Sequence, residues 1–118
     1  MQHRILVVED EPDLGELWAE YLTALGHDVA IAASRAAVVD YLEAGGVPEL
    51  AFVDWTLPDG RGDDVIRLLE VHADQCAVVV TSGLGVRVPP DLLPRVRTVL
   101  CKPFSLSDLH AALTALDG

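Results

Sequence analysis

Five side chains in this sequence have the types needed to act together on a cation and an oxyanion: Glu9, Asp10, Asp54, Thr81 and Lys102. Each lies at the end of a short apolar run. Ile5-Leu6-Val7-Val8 precedes Glu9-Asp10, Leu50-Ala51-Phe52-Val53 precedes Asp54, Ala77-Val78-Val79-Val80 precedes Thr81, and Val96 to Leu100 lead into Cys101-Lys102. Carboxylates brought together repel: at about 4 Å and an effective dielectric near 20, each like-charge pair costs about 4 kcal/mol. Such a cluster calls for a positive partner. An oxygen-only set with few carboxylates suits Mg²⁺, which keeps several waters and takes phosphate oxygens as further ligands. Lys102 supplies a compact cation for a carboxylate or phosphate oxygen, and Thr81 a hydroxyl donor. The assembly can stabilise charge on a phosphoryl group in transfer, with Asp54 as the nucleophile forming an aspartyl phosphate. Taken singly, Asp54 is a turn former, Lys102 a surface charge and Thr81 a strand-end hydroxyl. The set at the ends of four strands is the specific signal.

For these groups to meet, the strands must run parallel and end along one edge. A short, nearly continuous apolar run reads as a strand buried on both faces of a parallel sheet. Helical patterns separate the runs. Pro12 opens the first helix, Leu14, Leu17, Trp18, Tyr21, Leu22 and Leu25 form its expected core face, and Gly26 stops it. Val29 to Ala32 read as the second strand. Ser34 caps a helix that buries Val38, Val39 and Leu42 before Gly45-Gly46. After the turn Trp55 to Gly60, Gly62 opens a helix using Val65, Ile66, Leu68 and Leu69. Ser105 or Ser107 caps the last helix, with Leu106, Leu109, Leu113 and Leu116 inward. The alternation predicts an α/β, doubly wound, five-stranded parallel sheet. In the flavodoxin-like order 2-1-3-4-5, the carboxylates converge at the topological switch point. Residues 83–94 break the alternation. Two glycines and three prolines there oppose a helix, since an interior proline costs roughly 3 kcal/mol. A loop is expected, with at most one turn from Pro90 to Leu93.

Composition sets the outer limits. With 118 residues, 51% hydrophobic and 23% charged, the chain reads as one globular domain over residues 1–118. A formal net charge of -11 opposes nucleic-acid binding, which needs clustered Lys and Arg. No apolar run is long enough to span a membrane and no signal-peptide core follows Met1, so a soluble, cytoplasmic location is expected. On neighbouring parallel strands Cys76 and Cys101 would be offset by on the order of 13 Å, too far for a disulfide. Cys101 is expected to be a small buried filler. None of the four histidines has a second ligand at zinc-site spacing.

Val7-Val8-Glu9-Asp10-Glu11-Pro12, Val53-Asp54-Trp55-Thr56-Leu57-Pro58 with Gly62, Val80-Thr81-Ser82 and Lys102-Pro103-Phe104 resemble the receiver domain of two-component response regulators. The match runs in order over nearly the whole chain. The resemblance implies that Asp54 accepts phosphate from a partner histidine kinase or phosphotransfer protein. It implies Mg²⁺ bound by Asp10, Asp54 and the Thr56 backbone carbonyl, with Glu9 acting through water, and Thr81 and Lys102 touching the phosphoryl group. It also implies a cis bond between Lys102 and Pro103, and a kinase-docking surface of Leu14 and Gly15 with residues 103–105. Val99 stands where the family commonly has an aromatic switch residue, and residues 83–94 replace its fourth helix. With no effector domain expected, output runs through an unidentified protein target or as a phosphate sink. The chain is expected to promote only its own phosphorylation and dephosphorylation, not to act as an enzyme.

Other classes fit less well. A receiver-like interaction module without phosphorylation would not need all five pocket residues. An aspartyl-phosphate phosphatase wants a second Asp two residues after its nucleophile, and neither acidic run has one. A nucleotide-binding sheet wants a glycine-rich first turn, where this chain has Glu9-Asp10-Glu11.

Overall fold

In the computed structural model, residues 2–83 and 85–114 are described. The run Leu50–Asp54 forms strand β3, buried along its whole length. Its neighbours are β1 (Arg4–Val8) on one side and β6 (Ala77–Ser82) on the other. Outside them lie β2 (Asp28–Ala32) and β7 (Val96–Cys101), giving the order β2-β1-β3-β6-β7 with all pairings parallel. A two-residue hairpin, β4 (Thr56–Leu57) with β5 (Gly60–Arg61), lies outside this sheet. The flavodoxin-like order expected from the sequence is therefore the order observed.

Alternation of side chains along the strands builds two cores, one per face. Leu6, Val8, Ala51, Val53, Val78 and Val80 meet helices α2 (Arg35–Glu43) and α3 (Gly62–His72) through Val38, Leu42, Val65, Ile66 and Leu69. Ile5, Val7, Leu50, Phe52 and Val79 meet α1 (Pro12–Ala24) and α4 (Leu106–Thr114) through Trp18, Leu22, Leu109 and Leu113. Helix boundaries follow their signals. Pro12 opens α1, and Gly26, at φ 97°, takes a conformation other residues rarely adopt. The Ser34 hydroxyl accepts from the Ala37 amide at 3.1 Å. At α4 the cap is Ser105 and not Ser107: its hydroxyl accepts from the Asp108 amide at 3.1 Å, and the Asp108 carboxylate accepts from the Ser105 amide at 3.0 Å. Leu116 lies outside the described residues.

A loop with one 3₁₀ turn at Leu93–Arg95 takes the place of a helix between β6 and β7. Residues 90–92 form the turn read from the sequence, with the Leu92 amide donating to the Pro89 carbonyl at 2.9 Å, and the 3₁₀ turn follows directly from Leu93. The loop is anchored by its apolar residues: Leu92 is fully buried, and Val86 and Val88 pack on the same core. Ion pairs tie it to α3, Arg67 to Asp91 at 2.7 Å and Arg95 to Glu70 at 3.3 Å.

Three expectations are corrected. Leu17 and Leu25 are 46% and 43% exposed. The buried line of α1 runs through Gly15, Trp18 and Leu22, so Leu17 falls on its flank, and Leu25 is the C-cap beyond the last helical residue. Cys101 is exposed, not a buried filler, because β7 is an edge strand whose residues are mostly uncovered. The Trp55–Gly60 turn contains the β4–β5 hairpin, too short to leave a periodic signal. Both cysteines are free, as expected.

Candidate functional site

Strand register gathers the candidate residues. Val8 pairs with Val53, Asp54 with Thr81, and Ser82 with Cys101. Glu9, Asp54, Thr81 and Lys102 therefore leave four adjacent strands at one level. Carboxylate oxygens of Glu9, Asp10 and Asp54 lie within 4.8 Å of one another, and this is the only such group of potential metal ligands among the described residues. Glu9, Asp54 and Thr81 are 1%, 5% and 0% exposed, whereas Asp10 faces solvent.

Lys102 bridges two of the carboxylates. Its ammonium lies 2.6 Å from Glu9 Oε1 and 3.4 Å from Asp54 Oδ2. The second Glu9 oxygen accepts from the Glu11 amide at 3.1 Å, and Asp54 Oδ1 accepts from the Thr56 amide at 3.1 Å. Thr56 itself is exposed in β4. The Thr81 hydroxyl oxygen is buried and has no hydrogen-bond partner among the described residues. A buried hydroxyl without a partner is costly, and this one lies beside Asp54 in the sheet.

Burial dominates the electrostatics. It pushes the Glu9 carboxyl up to about 7, against the opposing pull of Lys102 and the Glu11 amide. Asp54 is raised for the same reason, with the Thr56 amide and Lys102 opposing. Burial works to lower Lys102, but hydrogen bonds and charge from Glu9 and Asp54 outweigh it, and its net shift is upward.

The β3–α3 turn must pass close beneath the site. At Gly62 a Cβ would meet the Trp55 ring at 2.8 Å and the Asp54 carbonyl at 3.1 Å, so only glycine allows this approach. The Lys102–Pro103 bond is cis, as the resemblance implied. Beside the site, Leu14, Leu17, Trp18, Pro103, Phe104 and Leu106 line a groove of about 490 Å³. Of the residues expected on a docking surface, Leu14, Pro103 and Phe104 line this groove. Gly15 is buried, close to Glu9 and Ile31, and Ser105 is occupied in capping α4. Val99 is 38% exposed on β7. Trp18, read from the sequence as core alone, is also 5.9 Å from the Lys102 ammonium. Helical period revealed its burial and could not reveal that contact.

The family model of the response regulator receiver domain matches residues 5–114. The response regulator RppA of Synechocystis is 34% identical over 96% of this chain and 50% of its own length. Among solved structures, a CheY-like receiver domain protein from Methanospirillum hungatei is similar at a TM-score of 0.83, with 21% identity over 98% of this chain and 93% of that one. The response regulator TrrA of Thermotoga maritima, solved in complex with Mg²⁺-BeF, is similar at a TM-score of 0.77, with 20% identity over 97% of this chain and 98% of that one. The chain spans about half the length of the curated relatives it matches. The matching model covers all four strand ends that build the acidic site, and on that ground the chain belongs to the response regulator receiver domain family of two-component signalling.

Proposed function

We propose that residues 1–118 work as one receiver unit in which Asp54 is the phosphoacceptor. The carrying observation is the meeting of Glu9, Asp10 and Asp54 within 4.8 Å, with Lys102 in ion-pair contact and a buried Thr81 hydroxyl that has no partner among the described residues. An Asp54 carboxylate oxygen attacks the phosphorus of a phosphohistidine on a histidine kinase or phosphotransfer protein. The O–P bond forms as the P–N bond breaks, and its electron pair stays on the imidazole nitrogen. Hydrolysis reverses the loading: water attacks phosphorus, restoring the carboxylate and releasing inorganic phosphate. Lys102 and the Thr81 hydroxyl contact phosphoryl oxygens and offset their charge.

The donor set fits Mg²⁺: carboxylate oxygens only, with Asp10 facing solvent, as suits an ion that keeps several waters and takes phosphate oxygens. Asp10, Asp54 and the Thr56 carbonyl would hold it, with Glu9 acting through water. When bound, it supplies charge neutralisation between the carboxylates and the incoming phosphoryl group.

Output passes by protein–protein contact or by draining phosphate from the kinase. The net charge of -11 gives these residues no basic footprint for nucleic acid. No helix among the described residues is long and apolar enough to cross a membrane, in keeping with a cytoplasmic partner. Acetyl phosphate with Mg²⁺, followed by intact mass, tests the reading. One added phosphate, absent in Asp54→Ala, supports it; an unchanged mass favours an interaction module that works without phosphorylation.

A further inference from the structure

We propose that Trp18 is a positioning residue for Lys102: its indole face, stacked on Phe104, holds the ammonium between Glu9 and Asp54, so that phosphoryl uptake depends on Trp18 through Lys102. The inference rests on the phosphoacceptor reading above and deepens it.

A lysine ammonium is a flexible point charge on a four-carbon stem, and ordering it costs rotamer entropy. Lys102 has Glu9 Oε1 at 2.6 Å and Asp54 Oδ2 at 3.4 Å. Two oxygens fix one side of the ammonium and leave the stem free to swing. Trp18, 4% exposed on α1, closes another side with its ring centroid 5.9 Å from Nζ. That distance is within cation–π range, and indole is the best ring for it. The ring is itself held, stacked on Phe104 at a centroid distance of 5.0 Å and an interplanar angle of 27°. Phe104 is two residues after Lys102, so one side chain on α1 braces both the ammonium and the segment that carries it. A leucine could fill the same apolar space, but it has no π face to offer the cation.

Lys102 is the only lysine in the sequence, which makes the contact directly readable. A chain with ¹³C-labelled lysine gives one lysine side-chain signal, recorded without metal or phosphodonor. The ε-methylene protons are expected to cross-relax with the Trp18 ring protons and to lie upfield from its ring current. They should move downfield in Trp18→Leu and much less in Trp18→Phe. Initial uptake from acetyl phosphate is then compared in the parent, Trp18→Leu, Lys102→Met and the double variant. Trp18→Leu should slow uptake by roughly twofold to thirtyfold, the range a cation–π contact supports. Added to Lys102→Met, it should cause no further loss, whereas a merely structural role would slow both backgrounds alike. Equal losses on both backgrounds overturn the inference. So does the absence of cross-relaxation in the unmodified chain, which decides the matter even where Trp18→Leu folds poorly. A parent chain that takes no phosphate overturns the phosphoacceptor reading and this inference with it.

Discussion

The ammonium of Lys102 lies closer to Glu9, at 2.6 Å, than to Asp54, at 3.4 Å. The tighter ion pair thus falls on the carboxylate that is not the proposed nucleophile. The carboxylate repulsion that the sequence implied is relieved in part by this internal cation. Asp54 keeps a looser contact with Lys102, which can pass to a phosphoryl oxygen without first breaking a short ion pair.

Metal-free stability should fall as pH rises through neutrality. Glu9 has a folded pKa of about 7, above its ordinary carboxylate value, so the folded state binds its proton more tightly than the unfolded chain does. Its contribution is complete below the unfolded value and lost as pH rises through the folded one. Asp54 is shifted in the same direction. Stability in chelator, followed by the melting temperature, is expected to drop between about pH 5 and pH 8 by at most on the order of 3 kcal/mol. Glu9→Gln should flatten that slope; an unchanged slope would contradict the role given to burial.

Mg²⁺ should raise the melting temperature at pH 8 relative to chelator, through a stabilisation of about 2.7 kcal/mol at a hundredfold excess over the dissociation constant. Asp10→Asn removes an exposed carboxylate from the cluster. It is expected to melt higher than the parent without metal and to lose both the Mg²⁺ response and phosphate uptake. A lower metal-free melting temperature would show that Asp10 supports the fold.

Leu92 is the plug that anchors the loop standing in place of a helix between β6 and β7, since it is fully buried in the same core as Val78 and Val80. Leu92→Ala should cost about 2–5 kcal/mol by denaturant titration, with Asp54 still taking phosphate. A loss under about 0.5 kcal/mol, the range of an ordinary surface substitution, would mean that the loop is not anchored there.

Asp59, in the turn after β4, caps a distant helix: its carboxylate accepts from the Arg35 and Ala36 amides at 2.7 and 3.0 Å. Those bonds, the Ala36 amide first, hold its carboxyl below the ordinary range. Asp59→Ala should lower the melting temperature above pH 5, and the deficit should shrink as acid protonates the parent's carboxylate. A pH-independent deficit would place the effect elsewhere.

Much of this could be read from the order of residues because the signals are local. Apolar runs marked the strands, Pro12, Ser34, Gly26 and Gly45 marked helix ends, and parallel strands had to deliver Glu9, Asp54, Thr81 and Lys102 to one edge. What escaped was set by contacts distant in sequence. Asp59 reaches back 24 residues to Arg35, Trp18 reaches Lys102, and nothing nearby in sequence announces either. Cys101 and Leu17 were misjudged for a related reason. Apolar type at the right period reports a face, but exposure depends on whether another element covers that part of it.

The most direct test of the account is chemical location of the phosphate. Borohydride reduces an aspartyl phosphate to homoserine, which peptide mass spectrometry places in the sequence. After acetyl phosphate and Mg²⁺, the account predicts homoserine at position 54 and at no other carboxylate, and none when chelator replaces Mg²⁺. Homoserine at position 10, or at no position in a chain that has gained phosphate, would contradict it.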